Sequence, residues 1–322
     1  MPYPNELYRK AEKILEKRRE DSALYAEVQR EKITAEIPEI EEIQTQLMKI
    51  GLELSKIFFY NGDAKEKVAE LQQKSEALTE KRAIILKKNG YGENAMSQQH
   101  ICPACEDKGF IQGRMCACHK QLLKDLMRDE IKRLAPIDKC TFDKFSLEYY
   151  SDEPLENSIV PRHKAQITLD NARKYAQSFS LKSKNLLFIG GTGLGKTHLS
   201  LAIANVVINK GYYVCYGTSQ NICDDLQSEQ FGRGEDAYYS KRQVLDCDLL
   251  VLDDLGTEIE NQYSVSTLYN IINSRILSEK PTVISTNYNF DVLEKKYGKR
   301  ITSRISGEYL PFYLLGNDIR NM

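Results

Sequence analysis

The sequence predicts an α/β protein whose parallel sheet is preceded by a helical N-terminal part and a small cysteine-rich module. From residue 140 onward, short β-rich runs alternate with helical runs, which is typical of a parallel sheet with helices on both faces. Residues 5–90 are rich in Glu, Lys, Leu and Ile, and four of the eight cysteines fall within residues 102–118. We therefore expect three parts: a helical domain at 1–98, the cysteine module with a linker helix at 99–139, and the α/β domain at 140–322.

The composition indicates a soluble chain with a core of its own. With 322 residues, 41% of them hydrophobic, it is long enough for two or three domains. The net charge of -1 gives no overall nucleic-acid signature, so any basic surface must be local. The sequence shows neither an apolar run of membrane-spanning length nor a leader pattern, so we expect a cytoplasmic protein with no membrane contact. In a reducing compartment, the remaining cysteines are expected to be ordinary core residues: Cys140, Cys215, Cys223 and Cys247.

The N-terminal part reads as a series of long helices. Residues 6–36 form one expected helix, and after Pro38 apolar residues recur every three or four positions as far as Ile57. The turn signal at 61–63 offers Asp63 as a helix N-cap. This pattern favours an antiparallel helical hairpin or a short coiled coil. A plain bundle and a module that docks onto a partner both remain open.

The cysteine module consists of two close pairs separated by a ten-residue loop: Cys102, Cys105, Cys116 and Cys118. Four thiolates in two such knuckles suit the tetrahedral coordination of Zn²⁺. Because protein ligands would fill all four positions, we expect a structural rather than a catalytic zinc. His119 is an alternative to Cys118 as the fourth ligand, and His100 is a weaker candidate. A redox pair or unligated thiols are the alternatives to a metal.

A glycine-rich loop lies between an apolar run and a helix in the α/β part. Residues 190–197 read GGTGLGKT, which is the G-x-x-x-x-G-K-T pattern of a phosphate-binding loop. In such loops the backbone N–H groups surround the phosphates, the lysine reaches the β- and γ-phosphates, and the threonine holds Mg²⁺. The alternative is a glycine-rich turn without a ligand. The expected nucleotide-binding residues are Gly191, Thr192, Gly193, Leu194, Gly195, Lys196, Thr197 and His198.

Polar residues end two further predicted strands. The apolar run that starts at residue 248 ends in Asp253 and Asp254, which fits a Walker B element. Asp253 would bind Mg²⁺ together with Thr197, and Asp254 would orient and deprotonate the attacking water. Asn287 follows another buried run. Since the carboxyl ends of parallel strands line the ligand crevice, Asn287 could hydrogen-bond the γ-phosphate or the attacking water.

Two arginines, Arg300 and Arg304, lie four positions apart on one predicted helix face. An inserted guanidinium stabilises the charge of phosphoryl transfer, and an arginine from a neighbouring subunit would make hydrolysis depend on assembly. A solvated basic face is the alternative.

The order of these motifs resembles the AAA+ ATPases of the bacterial replicative helicase loader group, the DnaC/DnaI type. The resemblance covers about 140–322, and the cysteine cluster resembles the zinc cluster of DnaI-type loaders. The motifs that carry it are the loop at 190–197, Asp253–Gly256, Ser285–Asn287, Ser303–Arg304, Asp318–Arg320 and the preceding segment Thr141–Ser146. It implies a five-stranded parallel sheet in the order 5-1-4-3-2 with nucleotide at the carboxyl ends. Since the sequence stops soon after the last strand, we expect no full lid domain.

The resemblance also implies roles for single residues. Arg304 would be the trans-acting arginine finger, Arg320 the sensor-2 residue of the nucleotide site, and Asn287 sensor 1. Residues 219–245 occupy the place of an extra helix that faces single-stranded DNA in initiator-type relatives. The candidate DNA contacts there are two basic and two aromatic residues: Lys241, Arg242, Tyr238 and Tyr239. Asp254 stands where Glu is commoner, which suggests slow, switch-like hydrolysis.

We predict an ATP-dependent loader of the replicative DNA helicase that acts in replication initiation or restart. Its implied cofactors are ATP/ADP, Mg²⁺ and Zn²⁺. Its implied partners are a hexameric replicative helicase, single-stranded DNA and further copies of the chain, joined through the ATPase modules. The alternatives are an IstB-like ATPase that assists a transposase and an adaptor that binds nucleotide without hydrolysing it. Intact Lys196, Asp253 and Arg304 favour hydrolysis.

Overall fold

The computed structural model describes residues 3–60, 65–155, 158–232, 238–259 and 261–318. Two compact units divide the chain. The helical unit comprises Glu12–His119, and the sheet unit comprises Met1–Ala11 together with Lys120–Met322. The predicted division into 1–98, 99–139 and 140–322 stays a prediction. None of the helices in the described ranges is long and apolar enough to cross a membrane.

Three long helices form most of the helical unit: α1 (Asn5–Glu36), α2 (Pro38–Tyr60) and α3 (Lys65–Lys88). Pro38 is the first residue of α2, a position where its missing N–H costs no intrahelical bond. Glu39 near the start of α2 pairs at 3.0 Å with Lys81 near the end of α3, so these two helices run antiparallel. The predicted helical hairpin is therefore present. The predicted N-cap Asp63 lies outside the described residues.

The cysteine module begins with a short hairpin of β1 (Phe110–Ile111) and β2 (Arg114–Met115), followed by the start of α4 (Ala117–Lys132). Gly109, just before β1, has a φ of +80°, and a Cβ there would lie 2.7 Å from Leu15 Cδ1 and 2.9 Å from His119 Nδ1. Only glycine fits both this backbone and this space.

A five-stranded, all-parallel sheet is the centre of the sheet unit. Its strands are β3 (Asn185–Ile189), β4 (Val214–Thr218), β5 (Leu249–Leu255), β6 (Thr282–Thr286) and β7 (Tyr309–Tyr313). The spatial order is β4-β5-β6-β3-β7. Counted in chain order, this is 2-3-4-1-5, which is the predicted order 5-1-4-3-2 read from the opposite edge. The predicted α/β fold is confirmed.

One helix precedes the first strand of this sheet, α5 (Pro161–Ser178), and the others connect its strands: α6 (Lys196–Asn209), α7 (Ser219–Gln230), α8 (Lys241–Asp246), α9 (Gln262–Leu277) and α10 (Phe290–Glu308). The interior strand β3 is buried almost along its whole length, as expected for a parallel strand covered on both faces. The helix α10 is kinked at Gly298, whose φ of 76° and ψ of 167° are not helical. Residues 290–297 and 299–308 are therefore two helical halves.

Candidate functional site

The glycine-rich loop joins the end of β3 to the start of α6. Gly193 and Gly195 have φ values of 74° and 78°, in the left-handed region that glycine adopts without strain. A Cβ on Gly195 would lie 2.7 Å from the ring of Phe145, and one on Gly193 would overlap the carboxylate of Asp318. The first turn of α6 directs its free N–H groups and its positive dipole end at the loop. The loop thus has the backbone of a phosphate-binding site.

Lys196 is placed at the centre of this site. Its side chain is only 5% exposed, and its Nζ donates to the Gly191 carbonyl at 2.7 Å and to Asn287 Oδ1 at 2.6 Å. The structure therefore brings the predicted lysine and the predicted sensor-1 residue together. A cleft of about 280 Å³ lies over the loop. Its lining residues are Thr192, Gly193, Leu194, Gly195, Lys196, Thr197, Asp254 and Asn287.

Asp253 is buried beside the loop and accepts three hydrogen bonds. Thr197 Oγ1 and the Tyr216 hydroxyl donate to Oδ2, each at 2.9 Å, and Ser285 Oγ donates to Oδ1 at 2.5 Å. Burial and the neighbouring Asp253 raise the pKa of Tyr216, so this phenol remains a donor. A threonine hydroxyl and a carboxylate in contact are the oxygen ligands that suit Mg²⁺. Tyr216 was not predicted to be part of this site, and Ser285 was predicted only as a member of the motif Ser285–Asn287.

Asp254 lies in a β-bulge at the end of β5. The register of the β5–β6 pair shifts between Leu252 and Leu255, and Asp254 has a φ of 52°. This conformation costs about 1 kcal/mol for a residue other than glycine. Its N–H donates to Ser285 Oγ at 2.9 Å, and its carbonyl accepts from Ser219 Oγ at 3.0 Å. The bulge turns the Asp254 side chain into the lining of the cleft.

The segment Thr141–Ser146 packs against the loop. Phe145 contacts the His198 ring edge-on at 5.4 Å, and His198 Nε2 lies 2.7 Å from the Thr141 carbonyl oxygen. The Tyr150 hydroxyl donates to the Leu194 carbonyl at 2.8 Å. His198 and Gly191 are outside the described lining of the cleft, so their direct contact with nucleotide stays a prediction.

The two predicted arginine contacts are not part of this cleft. Arg304 is exposed on the second half of α10 and is not among the described lining residues. Arg320 lies outside the described residues. An exposed position is what a residue needs if it acts on a neighbouring subunit, and the finger role of Arg304 stays a prediction.

The predicted DNA-contacting residues differ in accessibility. Lys241 and Arg242 are exposed at the start of α8. Tyr239 is only 2% exposed, and its hydroxyl donates to the Tyr216 carbonyl at 2.6 Å. The expectation that Tyr239 stacks on bases is therefore wrong, because its ring belongs to the core. Tyr238 is half-buried and packs edge-on against Tyr239.

The four cysteines of the helical unit form one cluster. All four Sγ atoms lie within 4.8 Å of one another. The Sγ atoms of Cys102 and Cys116 are 3.8 Å apart, and those of Cys105 and Cys118 are 3.4 Å apart. Tetrahedral Zn²⁺ with bonds of about 2.3 Å requires sulfur separations of about 3.8 Å. The donor set and its spacing fit zinc.

The surroundings of this cluster lower the pKa of the Cys102 thiol, whereas burial raises the pKa of the Cys105 and Cys118 thiols. The Gly109 N–H donates to Cys105 Sγ at 3.4 Å, and a backbone hydrogen bond from Cys105 lowers the pKa of the Cys102 thiol to about 7. His119 is buried with its ring edge-on against Phe110, and it is not among the clustered donors of the described residues. This arrangement favours Cys118 over His119 as the fourth ligand.

Comparison with known proteins gives a family match whose residues lie within the sheet unit. Residues 169–304 match the sequence profile of the family described as IstB-like ATP binding protein. The replicative helicase loader DnaC of Escherichia coli (strain K12) is 29% identical over 150 residues, which are 47% of this chain and 61% of that protein. DnaC of Buchnera aphidicola subsp. Baizongia pistaciae (strain Bp) is 25% identical over 162 residues, which are 49% of this chain and 65% of that protein. The chain thus spans less than two thirds of the length of these curated relatives.

A solved structure described as the DnaC helicase loader is 23% identical and aligns with 56% of this chain and 98% of that chain, with a TM-score of 0.46. The range that matches the family profile contains the glycine-rich loop, Asp253, Asp254 and Asn287, and it ends at Arg304. Residues 169–304 are therefore similar to the IstB-like ATP binding proteins, and about half of the chain is similar to DnaC proteins.

Proposed function

We propose that this protein is a cytoplasmic, ATP-dependent loader of a replicative DNA helicase onto single-stranded DNA. The observation that carries the nucleotide part is that Lys196, Thr197 and Asn287 line one cleft, with Asp253 hydrogen-bonded to Thr197 beside it. The helicase part rests on the similarity to proteins named replicative helicase loaders.

The chemistry follows from the positions of the side chains. Lys196 would exchange its present oxygen acceptors for phosphate oxygens, and the N–H groups of the loop would surround the same phosphates. Thr197 and Asp253 would hold Mg²⁺, which neutralises phosphate charge when bound. Asp254 would accept the proton of the attacking water, and Asn287 would orient that water. These roles together support hydrolysis over an adaptor that only binds nucleotide.

Arg304 should complete the site of a neighbouring copy. Replacing it with Ala is expected to leave ATP affinity unchanged and to lower turnover by roughly 100-fold or more, because the guanidinium acts on charge that develops in the transition state. Steady-state ATPase assays and equilibrium nucleotide binding measure both quantities. Lys299→Ala, on the same exposed half of α10, is the matched control and should retain turnover.

A mixing experiment tests the trans action directly. Arg304→Ala has an intact nucleotide loop, whereas Lys196→Ala has an intact arginine. A mixture of the two inactive variants should recover part of the turnover. If Arg304→Ala alone hydrolyses ATP like the unmodified protein, the arginine-finger assignment is wrong.

The helical unit is the part that we assign to the helicase. Met48 and Leu52 lie four positions apart on α2 and are 64% and 57% exposed, so this face presents apolar side chains to solvent. The four cysteines would hold a structural Zn²⁺ that fixes the adjacent loop. In the sheet unit, Lys241 and Arg242 are the proposed phosphate contacts for single-stranded DNA.

A pulldown with the full-length chain tests the partner. The unmodified protein should retain a hexameric replicative helicase, and Met48→Glu/Leu52→Glu should lose it because two charges replace apolar contacts. Gln72→Glu/Gln73→Glu adds the same charge at exposed positions of α3 and should keep the helicase. The family profile is named after IstB, so the competing function is assistance to a transposase. Retention of a transposase without helicase would establish that alternative.

A further inference from the structure

A buried carboxylate, Glu258, lies just beyond the bulge of Asp254. It is 4% exposed, and it accepts hydrogen bonds from Ser219 Oγ at 2.7 Å, from the Gly256 N–H at 3.0 Å and from the Tyr297 hydroxyl. Burial alone would raise the pKa of Glu258, but the hydrogen bonds from Tyr297 and Ser219 lower it. The carboxylate is thus charged at neutral pH. It does not line the nucleotide cleft in the described part of the chain.

On one side, hydrogen bonds through Ser219 connect this carboxylate to the bulge that contains Asp254. Ser219 Oγ lies within hydrogen-bonding distance of both Glu258 Oε2 and the Asp254 carbonyl. The single hydroxyl proton of Ser219 therefore lies between two acceptors, the Asp254 carbonyl and the Glu258 carboxylate. Because the two acceptors share this one proton, a displacement of the Asp254 carbonyl would alter the hydrogen bond from Ser219 to Glu258.

On the other side, the carboxylate is connected to the first half of α10. The Tyr297 hydroxyl donates to Glu258 Oε1, and Lys296 Nζ lies 3.6 Å from the same oxygen. Lys296 Nζ also donates to the Gly256 carbonyl at 2.5 Å. Two consecutive residues of α10 thus hold the loop 254–258.

The loop 254–258 also packs closely against the Tyr288 ring. Gly256 has a φ of +114°, and a Cβ there would lie 2.3 Å from the Tyr288 ring. Tyr288 directly follows Asn287, which accepts from Lys196. The loop 254–258 is therefore packed directly against the residue that follows sensor-1 candidate Asn287, and it is hydrogen-bonded to the first half of α10.

The kink of α10 comes directly after this body. Tyr297 is the residue before Gly298, and nothing lies within 4 Å of a Cβ at Gly298. Arg304 lies on the half beyond the kink. Tyr297 thus holds the near side of the kink at Gly298, while Ile301, Thr302 and Ile305 bury the far half in the core.

We infer that Glu258 is a positioning residue that couples the nucleotide cleft, through Ser219 and Tyr297, to the half of α10 that carries Arg304. This inference rests on the proposed ATP binding and hydrolysis. In this role Glu258 does not contact the nucleotide. Glu258 instead makes the position of Arg304 depend on the backbone conformation of Asp254.

Tyr297→Phe is the sharpest variant, because it removes one hydroxyl donor and keeps the ring. We expect the dissociation constant for ATP to stay within about twofold and turnover at saturating ATP to fall by roughly 10-fold. Tyr175→Phe is the matched control: its hydroxyl donates to the Lys184 carbonyl in the loop before β3, away from this network. A purely structural role would lower the melting temperature without lowering turnover per folded molecule.

A second measurement follows the coupling itself. Hydrogen exchange of the full chain with and without a non-hydrolysable ATP analogue should show slower exchange at 190–197 and altered exchange at 299–308. In Tyr297→Phe and in Glu258→Gln, the effect at 190–197 should remain and the effect at 299–308 should disappear. The double variant should be no slower than the slower single variant, because both changes break the same connection.

The outcomes separate this inference from the function on which it rests. If the analogue protects 190–197 in the unmodified protein but leaves 299–308 unchanged, or if Tyr297→Phe keeps normal turnover, the coupling role of Glu258 is overturned while ATP binding stands. If the analogue leaves 190–197 unprotected, nucleotide binding itself is refuted, and the inference falls with it.

Discussion

Replacing Lys196 with Ala should abolish ATP-dependent activity. The buried ammonium is the cation that would face the β- and γ-phosphates, and its removal deletes charge-assisted hydrogen bonds of about 1.5–3 kcal/mol each. Because these bonds are expected to strengthen as charge moves onto the phosphoryl oxygens, turnover should fall by at least roughly 100-fold. ATP affinity should fall by at least about 10-fold. Isothermal titration and a steady-state ATPase assay measure the two effects.

Lys210→Ala is the matched control for this experiment. Lys210 is the C-cap of the same helix α6, and its ammonium donates to the Gln177 carbonyl at the surface. It should retain both binding and turnover. If Lys196→Ala binds and hydrolyses ATP normally, the loop at 190–197 is a glycine-rich turn without a ligand, and the proposed function fails at its first step.

Replacing Cys105 with Ser should remove zinc and unfold the segment around it. In small modules the binding of structural zinc supplies about 10–16 kcal/mol of folding free energy. The hairpin of β1 and β2 has two residues in each strand and little core of its own, so it depends on such a contribution. Metal analysis should find about one zinc per chain in the unmodified protein and almost none in the variant. Proteolysis should then cut between residues 99 and 119.

Cys223→Ala is the control, because this buried cysteine of α7 lies outside the cluster and should leave the zinc content unchanged. Cys118→Ser identifies the fourth ligand. Loss of zinc in that variant supports the four-cysteine set, whereas retention would assign the position to His119. If unmodified protein purified without any chelating agent contains no zinc, the proposed metal site is wrong.

The parts of the fold that were predictable have strong local signals. The strands β3 and β5 contain continuous apolar runs and β6 is buried throughout, because interior strands of a parallel sheet are covered on both faces. Their polar ends, Asp253 and Asn287, follow directly in the sequence. The loop at 190–197 needs no tertiary information, since its glycines and its lysine have a fixed spacing.

Other parts of the site depend on contacts between distant segments. Tyr216 reaches Asp253 from β4, and Glu258 meets Tyr297 across 39 positions of the chain. Such long-range pairs leave no periodic pattern in the sequence from which they could be predicted. The bulge at Asp254 was equally hidden, because a bulge adds one residue to a strand without changing its apolar pattern.

Tyr239 was assigned a role in the sequence prediction that the structure contradicts. A tyrosine beside Lys241 and Arg242 suggested a surface for bases, yet its ring is buried against β4. Aromatic residues serve in cores and in binding faces alike, and only the packing of α7 and α8 decides between them. The kink at Gly298 was missed for a related reason, since an isolated glycine inside a helical pattern is often tolerated.

The order of strands in the sheet has a consequence for biosynthesis. The strand β3, which leads into the phosphate-binding loop, pairs with β6 and β7, and both are made about 100 residues later. Ribosomes deliver the chain from its N-terminus, so β3 emerges long before either neighbour exists. The nascent protein must therefore keep the loop without its two flanking strands until synthesis has passed residue 313. The proposed binding of ATP can therefore stabilise the folded state only at that late stage, after both flanking strands have paired with β3.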